Sequence, residues 1–186
     1  MTSNQFSKIT PPLKKIILTG GLAAGKTTMA RKLHEITQIP TYPLDSVFWE
    51  KEGGLKQDIF MEKVQKILDK DQWIMDGSFP NSVTFVPRLE AADIIIYFNL
   101  PKYHMLWRLI KRLFKYGNTR RPDITGDKTE ASAFWHCTKY MLGFNAQPSL
   151  EKVLEYTSIK NVIIIRNHAD EKKLIKTFRD LAPESS

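Results

Sequence analysis

Cysteine is nearly absent from this chain of 186 residues: Cys137 stands alone. No internal disulfide is available, which suits a reducing cytoplasm. In "FWHCTKYM" the thiol falls on what reads as a helical apolar stripe, so a buried structural role and a nucleophilic one are the two readings. Long apolar runs are missing as well, and none approaches the ~20 residues that a membrane-spanning helix needs. The opening stretch "MTSNQFSKITPP" lacks the apolar region of a secretory signal. Residues 1–13 are therefore expected to be a flexible polar tail, and 14–186 a single cytoplasmic domain that does not engage a membrane. No C-x-x-C or H-E-x-x-H pattern marks a zinc site, and His34, His104, His136 and His168 are scattered. Repeats, low-complexity tracts, helix-turn-helix patterns and RNA-binding sheet motifs are missing too. Acids are the minority charge, with 28 Lys and Arg against 20 Asp and Glu, giving +8. That excess favours an anionic partner without saying which.

What is present alternates. Short β-rich runs at 15–19, 40–43, 73–76, 93–99 and 161–166 are interleaved with helical patterns at 26–37, 57–69, 102–116, 130–142, 148–158 and 170–181. This is the signature of an α/β fold, a parallel sheet flanked by helices in three layers. Near-continuous apolar runs such as "DIIIYFN" suit strands buried on both faces. The segment "YGNTRRPDITGDKTE" is the least regular, and about 117–130 is expected to be a small lid.

Between the first strand and the first helix stands "GGLAAGKTT". Gly20, Gly25, Lys26 and Thr27 satisfy G-x-x-x-x-G-K-[ST], the phosphate-binding loop. Glycines allow backbone angles that turn successive N–H groups around phosphate oxygens, and the following helix points its positive end at the same anion. On this reading Gly20, Gly21, Leu22, Ala23, Ala24, Gly25, Lys26, Thr27 and Thr28 hold a nucleotide. Lys26 would reach its terminal phosphates, and the Thr27 hydroxyl would ligate Mg²⁺. Guanine is not the expected base, because the N-K-x-D segment of GTPase switches is missing.

Ligands of parallel α/β sheets sit at the carboxyl ends of the strands. Asp76 closes "WIMD" and is the candidate metal-side carboxylate, with a plain turn aspartate in "DGS" as the other reading. Asp93 opens its strand, so it belongs at the opposite edge and reads as structural. Asp45, past the second strand, suits either proton acceptance from an attacking hydroxyl and substrate contact, or N-capping of the next helix. Phe48 and Trp49 beside it either wall an acceptor pocket or belong to the core. Between Lys102 and Lys128 there are eight basic residues and two acids, a local +6. Arg120 and Arg121 could close over a nucleotide and stabilise a transferring phosphoryl group, or simply make a charged loop.

The ordered set "GGLAAGKTT", "MARKL", "IPTYPLDSVFW", "WIMDGSF", "RLEAADIIIYFNLP", "WRLIKR", "RRPD" and "VIIIRN" resembles the small P-loop proteins related to adenylate kinase. Within these it is most similar to the DNA topology modulation (FlaR-like) branch, over about residues 15–175. The resemblance implies a five-stranded parallel sheet in the nucleoside-monophosphate-kinase style, with ATP and Mg²⁺ as cofactors. It implies that Asp76–Gly77 lies beside the metal and acceptor, and that Arg108 and Arg112 contact the donor nucleotide. It matches Arg88 to an arginine that would hold an anionic acceptor. "SFPNS" lacks the arginine that follows the proline in adenylate kinases, and their threonine–glycine acceptor segment is missing, so AMP is not the expected acceptor. No tyrosine stands in a strand-cleaving setting. An ATP-dependent phosphotransferase with a small-molecule acceptor leads, ahead of a nucleotide-gated regulatory protein that binds nucleic acid.

Overall fold

The apolar run KIILTG forms β1 (Lys15–Gly20), and Ile16 to Thr19 have no solvent exposure, as a central parallel strand requires. The computed structural model describes residues 5–11, 13–48, 55–116, 147–156 and 161–181. Beside β1 run β2 (Thr41–Pro43), β3 (Trp73–Asp76), β4 (Ile94–Phe98) and β5 (Asn161–Ile165). All are parallel, in the order β2-β3-β1-β4-β5. The five expected strands all form, and each end lies within one residue of its expected place.

Alternating side chains divide the sheet between two cores. Ile16, Leu18, Ile94, Ile96 and Ile163 face α1 (Lys26–Thr37), which contributes Met29, Ala30 and Leu33, and the C-terminal helix (His168–Leu181), which contributes Leu174 and Phe178. Ile17, Met75, Ile95 and Tyr97 face the other way. There they meet α2 (Leu44–Phe48), α3 (Gln57–Leu68), α4 (Phe85–Ala91) and α6 (Gln147–Leu154). The helix α5 (Lys102–Tyr116) follows β4, and the C-terminal helix is α7. In α3, Phe60, Val64, Ile67 and Leu68 recur at helical spacing and are buried.

Two short helices go beyond the sequence expectation. Five-residue α2 is too short for a periodic signal, and Pro87 makes α4 read as broken. Pro87 falls in the first turn of α4, where the missing N–H would have no helical partner anyway. The helix expected over 130–142, with Cys137, lies outside the described residues. Asp93 is structural, as expected: its Oδ2 accepts the Lys14 and Lys15 amides at 2.9 and 2.8 Å, tying the start of β1 to that of β4.

The expectation of a flexible tail over 1–13 needs correction for its described part. Phe6–Lys8 forms a 3-10 turn, and Phe6 and Ile9 are buried in the α1–α7 core. The Gln5 side chain donates to the Ile164 carbonyl and accepts the Ile164 amide, both at 3.1 Å. An apolar pair three residues apart inside a polar stretch was the available signal. Phe6→Ala is expected to cost about 3 kcal/mol of stability, the usual penalty for truncating a buried aromatic, read as a lower urea midpoint. An unchanged midpoint would mean that the segment contributes nothing to the core.

Candidate functional site

Strand order places the site. The chain leaves β1 for β2 on one side of the sheet and crosses from β3 to β4 on the other. The crevice of an open α/β sheet lies at such a reversal. Here the carboxyl ends of β1 and β3 lie side by side, with Leu18 paired to Asp76.

The loop after β1 is bent by positive φ at Gly20 (113°), Ala23 (54°) and Gly25 (98°). A Cβ on Gly20 would sit 2.4 Å from the Phe98 carbonyl oxygen, so both conformation and space require glycine. Gly25 is the N-cap of α1 and offers no side-chain acceptor, and the first turn carries no acid. The amides at this helix start are thus open to an anion, as a phosphate site requires. Lys26 Nζ donates to the Gly21 carbonyl at 2.8 Å and lies 3.5 Å from that of Gly20. Leu22 and Ala23 are half-buried in the loop, Ala24 is buried, and Thr28 is exposed on the first turn of α1.

Thr27 Oγ1 donates to Asp76 Oδ2 at 2.5 Å, joining α1 to the end of β3, and Asp76 is buried. Two hard oxygen donors beside this loop fit Mg²⁺, which in phosphoryl-transfer sites takes one or two protein oxygens together with substrate phosphates. Among the described residues no group of three or more His, Cys, Asp and Glu could hold a metal ion by itself.

Arg108 of α5 lies across the loop. One Nη donates to the Ala24 carbonyl, and the other donates to Glu171 Oε1 of α7 at 3.1 Å. Glu171 Oε2 also meets His168 Nδ1 at 2.8 Å. Arg108 thus braces the loop from outside through main-chain and carboxylate contacts. Arg112 lies one turn further along α5. Trp49, Arg120, Arg121 and the expected lid fall outside the described residues.

On the acceptor side, Asp45 is exposed in the first turn of α2, at the carboxyl end of β2. The N-cap reading does not hold, since Asp45 lies inside the helix that begins at Leu44. Gly77 is buried, and a Cβ there would lie 2.8 Å from Leu44 Cβ. Phe48 packs against Phe60 and Phe79, with ring centroids 5.2–5.4 Å apart within this triad. Phe48 is therefore half-buried on an apolar cluster.

Arg88 departs most from expectation. Its guanidinium is fully buried and donates only to main-chain carbonyls: Thr84 at 3.1 Å, Gly77 at 3.0 Å and Ser78 at 2.8 Å. Burial lowers its pKa to about 9, still above neutral pH, so it stays charged there. Each of its three nitrogens thus donates to a carbonyl inside the protein. Ser78 escaped the sequence reading altogether. Its Oγ donates to the Gly20 carbonyl at 2.6 Å and lies 3.0 Å from the Gly20 amide. Nothing in "DGSF" signals that contact, because its partner is 58 residues away.

No family model matches the chain, and no curated protein matches it by sequence. Solved structures do. A shikimate kinase from Bacteroides thetaiotaomicron superposes with TM-score 0.54 at 14% identity, over 91% of this chain and 98% of that one. A shikimate kinase from Acinetobacter baumannii, solved in complex with shikimate, gives TM-score 0.55 at 17% identity, over 91% and 92%. The chain has the three-layer α/β fold of the P-loop kinases, in its nucleoside-monophosphate-kinase-like form.

Thr27→Val keeps the side-chain volume and removes the oxygen at Asp76. Calorimetric titration of ADP with and without Mg²⁺ should show wild-type affinity raised by the cation. The variant should lose about tenfold of that gain, worth ~1.4 kcal/mol. A cation effect equal in both proteins would dissociate Thr27 from the metal.

Proposed function

We propose that the chain is an ATP- and Mg²⁺-dependent phosphotransferase acting on a small-molecule acceptor. One observation carries the reading: the loop at 20–25, Lys26 folded against it and the Thr27–Asp76 oxygen pair meet at the strand-order reversal of a kinase fold.

The loop amides and the start of α1 bind the donor phosphates. Lys26 exchanges its Gly21 carbonyl for phosphate oxygens and follows the charge that develops there. Thr27 and Asp76 would hold Mg²⁺, which would supply neutralisation of phosphate charge. An acceptor hydroxyl oxygen forms its bond to the γ-phosphorus as the bond from that phosphorus to the β–γ bridging oxygen breaks, and ADP leaves. Asp45, exposed beside the crevice, takes the hydroxyl proton. Phe48 and Phe79 offer the acceptor an apolar edge. One structural neighbour was solved with shikimate, a hydroxylated acid. With Arg88 committed to main-chain carbonyls, an acidic acceptor gains no support from that residue.

A second reading makes the chain a nucleotide-dependent regulator that contacts nucleic acid, in line with the topology modulation resemblance. Its support is α5, where Tyr103 and Trp107 are 68% and 56% exposed and Lys111 lies 5.2 Å from the Trp107 ring centre. Exposed aromatics beside cations are the chemistry of single-strand stacking surfaces.

ADP release from Mg-ATP, measured against a panel of nucleosides, nucleotides, sugars and coenzyme precursors, separates the two. Stimulation by one compound, lost in Lys26→Ala, is the expected result. Slow acceptor-independent turnover together with salt-sensitive DNA or RNA retention would favour the regulator.

A further inference from the structure

A buried cation needs a reason. Arg88 has no solvent exposure, and no carboxylate pairs with it among the described residues. An apolar side chain of similar volume would avoid its desolvation cost. What an apolar residue lacks is the planar fork, which here spans two successive carbonyls, Gly77 and Ser78, while Nε is held by Thr84.

The turn under that fork is strained. Gly77 has φ 147° and Phe79 has φ 40°, a left-handed angle that is uncommon for a bulky aromatic. Such angles persist only where the surroundings over-determine them. Between these two residues, Ser78 reaches back to the first loop glycine, engaging both the carbonyl and the amide of Gly20. Immediately before them, Asp76 takes the Thr27 hydroxyl.

We infer that Arg88 is a positioning residue for the phosphate site, holding the Gly77–Ser78 turn so that Ser78 pins the Gly20 peptide and Asp76 stays on Thr27. The inference rests on the reading of 20–28 as a phosphate site. It reassigns Arg88 from the acceptor to the donor side, acting through main chain and without touching either ligand.

Arg88→Lys keeps the charge but cannot span three carbonyls, and Ser78→Ala removes only the latch. Binding of a fluorescent ATP analogue in Mg²⁺ is the readout, with melting temperature recorded in parallel. Each variant is expected to bind about threefold to tenfold more weakly, the cost of losing one hydrogen bond. The double variant should be no weaker than Arg88→Lys alone, since both act through Gly20. A merely structural arginine would lower the melting temperature and leave affinity unchanged in the folded protein. That result, or additive losses in the double variant, would overturn the inference. Where Arg88→Lys does not fold, Arg88→Gln, which keeps one donor group, takes its place in the same cycle. The assay needs no phosphoryl transfer. Wild-type binding with no transfer to any acceptor removes the kinase reading and leaves this inference standing, whereas a wild type that binds no nucleotide removes both.

Discussion

The peptide of Gly20 is the point on which the carboxyl edge of the sheet depends. It ends the central strand, and its left-handed backbone passes so close to the Phe98 main chain that no Cβ fits. Its amide and carbonyl are both held by Ser78, and the Gly21 amide donates to the Phe98 carbonyl at 2.9 Å. A loop that must present several amides to one anion gains from losing its freedom in advance, since ordering at the moment of binding would cost affinity. Gly20 loses its freedom to both neighbours at once: β4 on one side and the turn after β3 on the other.

That preorganisation has a cost, and the cost is visible. Phe79 holds a backbone angle disfavoured for its type, Arg88 carries a charge into the interior, and three glycines adopt positive φ around one crevice. Away from this edge, aliphatic and aromatic side chains fill two cores on either side of the parallel sheet. Rule-breaking residues that gather at one edge are the pattern of a site whose strain is offset by the rest of the fold.

Legibility followed the range of the interactions. The five strands and α1 were readable because apolar runs and the loop motif are local signals, and Asp76 was readable because a strand-ending acid has only one edge to occupy. Asp93 was placed at the opposite edge by the same logic. Ser78 and Glu171 were not readable, because each matters through a partner at 58 or 63 residues' separation. Arg88 was visible as a residue, but its contacts with the Thr84, Gly77 and Ser78 carbonyls were not. Sequence pattern reports that an arginine is present, whereas only packing reports that its donors turn inward. The N-terminal segment failed for a related reason: Phe6 and Ile9 carry too little pattern to outweigh their polar surroundings.

The division between the two sides of the crevice has a physical origin. Phosphate is recognised largely by main chain, so a donor side, on the proposed reading, needs particular backbone angles, and those demand glycines that a short motif records. An acceptor is recognised by shape, and on the proposed reading that shape would come from α2, the Phe48–Phe60–Phe79 cluster and the turn beneath it. These residues are ordinary in type and become specific only through packing. Arg88 connects the two sides, because the turn it holds carries Ser78 toward the loop and Phe79 toward the aromatic cluster. A substitution that moves Phe79 therefore acts on the same turn that anchors Gly20. On the proposed reading, the choice of acceptor and the geometry of the phosphate loop are coupled through the one turn that keeps Ser78 on Gly20.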